Sequence, residues 1–174
     1  MGVENKSGLP LEIERKFLIT YPDLSWLEQY PGLRKIGMVQ TYLKSDPGEA
    51  RRVRQCTEQD KVTYYRTSKR RITAQTRIEI EDQLNREEYL DLLREADQSK
   101  TPIIKTRYCI PYDGHVIEID IYPFWTDKAI AEVELKKEGE ACRLPEQIHV
   151  IADVSDDERY SNFSLARCQG VFES

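Results

Sequence analysis

The sequence has little of what would tie it to a membrane, a secretory route or a zinc centre. No apolar run approaches the length of a bilayer span, and the opening MGVENKSGLPLEIERKFLIT lacks a signal-peptide core. Neither a spanning helix nor a leader is therefore expected, and no membrane partner. Cysteine is sparse: Cys56, Cys109, Cys142 and Cys168 lie far apart with no C-x-x-C pair, and read as reduced thiols of a cytoplasmic protein. The two histidines, His115 and His149, are isolated, which leaves a zinc site or a His-based triad without support. Repeats, low-complexity tracts and linkers are missing too, so residues 1–174 are expected to form a single domain.

Several familiar motifs fail on inspection. GLRKIG has the outer glycine spacing of a P-loop, but Met38 and Val39 follow where Lys and Ser or Thr are needed. DVSDDE opens like a calcium loop, yet Glu158 takes the glycine position and Ser164 the final glutamate position. Gly2 is followed by Lys6 where myristoylation needs Ser or Thr. Asn5 and Asn162 begin N-x-S sequons, which carry no meaning in the cytosol. A net charge of -5 argues against a generic nucleic-acid surface, although it leaves room for a local basic pocket.

What is present is charge in alternation. Apolar residues make up 39% and charged residues 33% of the chain, a soluble composition that still fills a core. Two-residue periodicity recurs over residues 11–19, 38–44, 49–56, 61–70, 76–82, 103–110, 115–122 and 129–136, with turn chemistry at 45–49 (SDPGE) and 112–114 (YDG). The pattern predicts a mainly β fold: eight short antiparallel strands closing into a barrel, with a few covering helices. The clearest helix begins at Asn85, whose capping box is completed by Glu88, with Tyr89, Leu92, Leu93 and Ala96 as its apolar stripe. Shorter helices are expected near Leu24–Tyr30, about Pro145–Ala152, and over Arg159–Cys168.

Residues i and i+2 of a strand point the same way. One face thus collects Glu12, Glu14 and Lys16; Arg52 and Arg54; Lys69; Arg77, Glu79 and Glu81; Lys105 and Arg107; Glu118 and Asp120; and Glu132, Glu134 and Lys136. The other carries Ile13, Phe17, Val53, Ile78, Ile80, Ile104, Ile117, Ile119, Ile121, Val133 and Leu135. One arrangement places the charges outside as a solvated face laced with cross-strand ion pairs. Like charges side by side on a strand, at E-x-E, R-x-R and K-x-R, disfavour that arrangement unless something neutralises them. Paired carboxylates accept a hard divalent cation, and paired bases accept phosphate oxygens. A surface with both suits a metal–polyphosphate complex, and the favoured architecture turns the charged face into a water-filled lumen.

The ordered series E-x-E-x-K (Glu12, Glu14, Lys16), R-x-R (Arg52, Arg54), Lys69, Glu79/Glu81, Lys105/Arg107, Glu118/Asp120 and Glu132/Glu134 resembles the triphosphate tunnel metalloenzymes, or CYTH superfamily. The terminal DVSDDERYSNFSLA is similar to the closing segment of the small bacterial inorganic tripolyphosphatases, and the resemblance covers a core of about residues 11–166. The resemblance implies an eight-stranded antiparallel tunnel that takes a small-molecule triphosphate with Mg²⁺ or Mn²⁺, one or two ions. By position, Lys16, Arg52, Arg54, Lys69, Lys105 and Arg107 would contact substrate. Glu12, Glu14, Asp120, Glu132 and Glu134 would hold metal. Lys105, Glu132 and Glu134 would be catalytic, with Lys105 near the attacking water. Arg77, Glu79, Glu81, Glu118 and Lys136 would either line the tunnel or orient those groups.

The implied reaction is hydrolysis of inorganic tripolyphosphate to pyrophosphate and phosphate by a monomer or homodimer. The alternatives are a class IV-type adenylyl cyclase, a nucleoside or thiamine triphosphatase, and a non-catalytic polyphosphate or nucleotide binder. The same resemblance makes ERYSNFSLARC a plug helix, with Tyr160, Phe163 and Leu165 packing inward.

Overall fold

The computed structural model describes residues 3–4 and 8–171; Gly2 and Asn5 lie outside them. The strands are β1 (Val3–Glu4), β2 (Pro10–Thr20), β3 (Arg34–Leu43), β4 (Glu49–Glu58), β5 (Lys61–Arg71), β6 (Thr76–Leu84), β7 (Ile103–Tyr112), β8 (His115–Ile121), β9 (Lys128–Glu134) and β10 (Val150–Asp153). Eight of them close a ring in the order β2-β6-β5-β4-β3-β7-β8-β9, and β9 returns to β2. Every pair is antiparallel. Closure removes the exposed edges that an open sheet would leave. Among the described residues no helix is long and apolar enough to cross a membrane.

Turn and cap chemistry act where the sequence places them. Asp113 and Gly114 both have positive φ, 50° and 76°, the primed turn that a tight hairpin between β7 and β8 requires. Helix α1 (Leu24–Glu28) starts at Asp23, whose carboxylate accepts from the amides of Ser25 and Trp26. Helix α2 (Arg86–Leu92) carries the full Asn85/Glu88 capping box and runs into a 3-10 turn, Leu93–Glu95.

One expected helix is corrected. Residues about Pro145–Ala152 are not helical: Ile148 N–H donates to Pro145 O in a turn, and β10 follows. The reason is tertiary. Strand β6 pairs with β2 only from Leu11↔Ile78 to Ile13↔Thr76. Along Phe17–Ile19, where β9 occupies one edge, the opposite edge is taken by β10. The chain then continues the wall, with Val154 N–H donating to Lys16 O and Lys16 N–H to Ser155 Oγ. β-branched Val150 and Ile151 suit that extended role.

Within the strands, the inward and outward faces sort as expected. Outward Ile13, Phe17, Ile19, Ile117, Ile119 and Val133 form a core with Leu27 of α1 and with Leu135 and Ile148. Outward Val53 and Leu84 pack under Tyr89 of α2. The helices cover only these two patches, so Ile80 and Ile104, on the same outward face, stay 46% and 59% exposed. The ends of the inward face are apolar. Leu18, Tyr42, Ile103, Tyr122 and Ile130 meet Leu165 and Ala166 of α3 (Asn162–Cys168) at one end, with Phe163 edge-on to Tyr42. Ile36, Met38, Cys56 and Cys109 cluster beneath Tyr65 towards the other. The charged band lies between.

Fully buried Leu165 anchors α3 in this end cluster. Leu165→Ala should therefore lower unfolding free energy by about 2–5 kcal/mol, read as a shifted urea midpoint. An unchanged midpoint would mean that the helix does not hold the barrel end.

Candidate active site

The register explains how the charges meet. Direct cross-strand partners share a face, so Lys16 stands opposite Glu132, Glu14 opposite Glu134, Lys69 opposite Glu79, Arg52 opposite Thr67, Arg107 opposite Asp120, and Glu118 opposite Glu132. Together they surround a cavity of about 960 Å³. Glu12, Glu14, Lys16, Arg52, Arg54, Lys69, Arg107, Glu132 and Glu134 line it. Of the eleven residues singled out above, Lys105 and Asp120 are the two that do not. Their side chains are fully buried against each other, Lys105 Nζ donating to Asp120 Oδ2 at 2.6 Å.

The cavity also takes in Arg77, Glu79, Glu81 and Glu118, which the face sorting left between two roles, and several residues that it did not name. Arg71 continues the Lys69 alternation, but the periodic run was bounded at residue 70. Lys100 and Asp97 come from a loop, where no periodicity marks them, and pair with each other. Glu158, in the 3-10 turn before α3, pairs with Arg71 across the mouth.

Within the band, Lys16, Arg54, Lys69, Arg77 and Arg107 are each held by a carboxylate. Lys69 Nζ lies 2.8 Å from Glu12 Oε2 and 3.1 Å from Glu79 Oε2. Lys16 Nζ is 3.3 Å from Glu132 Oε1, and Arg77 Nη1 is 3.2 Å from Glu14 Oε1. Arg54 Nη2 donates to Glu81 Oε2 at 2.6 Å, an oxygen that also accepts from Thr67 Oγ1 at 2.9 Å. Arg107 grips Asp120 through Nε and Nη2, at 2.7 and 2.8 Å, and also pairs with Glu118. Both Asp120 oxygens are thus engaged, by Lys105 and Arg107.

The balance within the lining is negative: eleven carboxylates face eight basic groups. Burial pushes Glu14 up to about 7, reinforced by the charges of Glu132 and Glu12. Burial also raises Glu79 to about 7, against the pull of Lys69. Glu132 moves the other way: Lys16, Arg107, Lys105 and Lys69 overcome its burial and hold it well below the ordinary carboxylate range. Lys105 falls to about 8 because it is buried and lies beside Arg107. Burial raises the Cys109 thiol to about 11, so this wall residue is no reactive thiolate.

Among the described residues no three acidic, His or Cys side chains are already gathered as a metal centre. The donor chemistry nevertheless fits a hard divalent cation: surplus carboxylate oxygen, with one carboxyl driven up by burial and by its anionic neighbours. Glu12, Glu14, Glu132 and Glu134 are the groups that would hold it, once Lys69 and Lys16 release Glu12 and Glu132.

A raised acid favours folding while protonated, so Glu14 disfavours the fold progressively as pH rises from about 4.5 through 7. Glu14→Gln should therefore match the wild-type melting temperature at pH 5 and exceed it at pH 8 in chelator. Equal differences at the two pH values would show that Glu14 does not titrate in this range.

No curated protein is matched by this chain. Among solved structures it is similar to the inorganic triphosphatase NE1496, at 29% identity over 90% of this chain and 94% of that one, with a TM-score of 0.57. It is also similar to the PH1819 protein from Pyrococcus horikoshii OT3, at 22% identity over 74% and 80% of the two chains, with a TM-score of 0.57. HpAC1 from Hippeastrum, an adenylyl cyclase candidate described with a dominant triphosphatase activity, shares 12% identity over 72% and 80%, with a TM-score of 0.50. The latter two likenesses speak for the fold alone. The CYTH domain model matches residues 10–167, and with the closed barrel and its charged lumen in view, the chain belongs to the CYTH domain family.

Proposed function

We propose that the protein is a cytoplasmic, Mg²⁺- or Mn²⁺-dependent hydrolase that cleaves inorganic tripolyphosphate to pyrophosphate and phosphate. One observation carries the reading: five buried or half-buried bases, Lys16, Arg52, Arg54, Lys69 and Arg107, converge on one cavity whose carboxylates outnumber its cations. A polyanion entering with divalent cations engages the bases, while its cations answer the carboxylate surplus. The similarity to the triphosphatase NE1496 supports the same substrate class.

The choice of an inorganic substrate rests on the mouth. Phe163 is its aromatic group beside Tyr42, but Lys100 Nζ sits 4.4 Å over the Phe163 ring and Tyr42 packs perpendicular to it. A nucleobase therefore finds no bare stacking platform there.

In this reading Arg52, Arg54 and Lys69 hold the inner phosphates, while Lys16 and Arg107 neutralise the terminal phosphoryl group, leaving the protein chiefly to position charge. The chemistry that a bound Mg²⁺ or Mn²⁺ supplies is neutralisation of phosphate oxygens and acidification of a water. Glu12, Glu14, Glu132 and Glu134 provide its ligands, and Glu132 and Glu134 also orient the water. Asp120 keeps Lys105 and Arg107 in place. As Arg107 turns from Asp120 to phosphate, it opens the way to Lys105, which exchanges its proton near neutral pH. The water oxygen bonds to the terminal phosphorus, the bridging P–O bond breaks, and pyrophosphate leaves with that electron pair. Lys105 in its neutral form takes the water proton.

A panel of tripolyphosphate, pyrophosphate, ATP, GTP and thiamine triphosphate with Mg²⁺, Mn²⁺ or chelator tests the reading. Phosphate release should be fastest from tripolyphosphate, cease in chelator, and fall at least a hundredfold in Arg52→Ala and Glu134→Ala. Cyclic AMP from ATP, or tight binding without turnover under every metal, would replace the reading. Lys105→Met should lower kcat by about a hundredfold or more and leave the KM for tripolyphosphate within a few fold, since Lys105 does not line the cavity. An equal loss spread over KM would assign Lys105 to substrate binding.

A further inference from the structure

The inner face of β3 carries a polar side chain that the charge pattern passes over. Gln40 is fully buried, and neither its amide nitrogen nor its carbonyl oxygen has a hydrogen-bond partner. Leaving a buried amide bare is unfavourable, and an apolar residue of similar length would avoid that cost. Directly across the ladder stands Arg54, whose Nε is also buried and without a partner. An open acceptor and an open donor thus occupy opposed positions of one strand pair. They fail to meet because Arg54 is drawn the other way, its Nη2 held by Glu81 on β6.

We propose that Gln40 is a positioning residue for Arg54, which has two stations. In the ligand-free arrangement Arg54 rests on Glu81. When a triphosphate enters, the Nη nitrogens leave Glu81 for phosphate oxygens, and the Nε–H donates to Gln40 Oε1, closing both open positions. The amide acts as a neutral stop that fixes the guanidinium fork towards the ligand, where a carboxylate at residue 40 would compete with phosphate for it. This inference rests on the triphosphate-binding reading above.

Gln40→Met separates a functional amide from a structural one. It should melt at or above the wild-type temperature, because it loses a bare buried amide. Its kcat/KM for tripolyphosphate with Mn²⁺ should fall about tenfold or more, mostly through KM. In an Arg54→Lys background, which has no Nε–H, adding Gln40→Met should cost nothing further. In ¹⁵N-labelled wild-type protein, the Arg54 Nε–H resonance should shift when tripolyphosphate is added.

Wild-type kcat/KM in Gln40→Met, an undiminished loss in the Arg54→Lys background, or a resonance unmoved by ligand would each overturn the assignment. So would a variant that fails to fold, since the amide would then be holding the fold. If wild-type protein neither binds nor hydrolyses tripolyphosphate, the parent reading falls with it. If wild type does so and the variant equals it, only the role of Gln40 falls.

Discussion

Charges turned into a closed barrel have two sources of neutralisation: each other, and whatever enters. Buried as Glu14, Lys16, Arg52, Arg54, Arg107 and Glu132 are, such charges are screened less than in bulk solvent, so each unmatched ion raises the free energy of the fold. The lumen meets this constraint with a ring of short ion pairs: Lys69 to Glu12, Lys16 to Glu132, Arg54 to Glu81, and Arg107 to Asp120. The ring is incomplete. Carboxylates exceed bases, Glu14 is driven towards its neutral form, and the Nε of Arg52 and of Arg54 lacks a partner. These residual mismatches are what the proposed polyanion and its cations would relieve.

The same constraint shapes the ends of the barrel. Leu18, Tyr42, Ile103 and Ile130 turn the inward face apolar just where α3 docks, and Ile36, Met38 and Cys56 do so beyond Arg54. The polar space is therefore confined to a short band instead of running the full strand length. Glu158 and Arg71 tie the segment preceding α3 to the end of β5, on the rim of that band. The C-terminal segment is thus part of the wall, contributing β10, Ser155 and the 3-10 turn.

Much of this was legible because strand periodicity is strictly two, so parity alone assigns Glu12, Arg54, Lys69 and Glu132 to one face without knowledge of the third dimension. The Asn85/Glu88 cap was legible for the same reason, being a local rule. What parity cannot report is depth. Lys105 and Arg107 share a face, yet only Arg107 reaches the cavity, because Asp120 draws Lys105 inside the wall. Nor does sorting by charge find Gln40, a neutral residue among ions. The β10 strand escaped because its extended form answers a vacancy on β2 that exists only once β6 has diverged. Arg71 escaped by one residue, since the end of a strand is less marked than its middle.

The long seam between β2 and β9 joins residue 14 to residue 134 and residue 20 to residue 128. Such a seam is the most non-local kind of pairing, and loop closure over that span makes it a late step in folding. Until it forms, the seam stretch of β2 presents Glu14 and Lys16 on one side and Phe17 and Ile19 on the other, without its β9 partner. During synthesis β6 can already cover Leu11–Ile13, but residues 14–20 of the first barrel strand must wait for residues 128–134 before that edge is paired. Its alternating ions then serve a second purpose, keeping an orphan strand soluble and averse to self-pairing through the interval when it is most exposed.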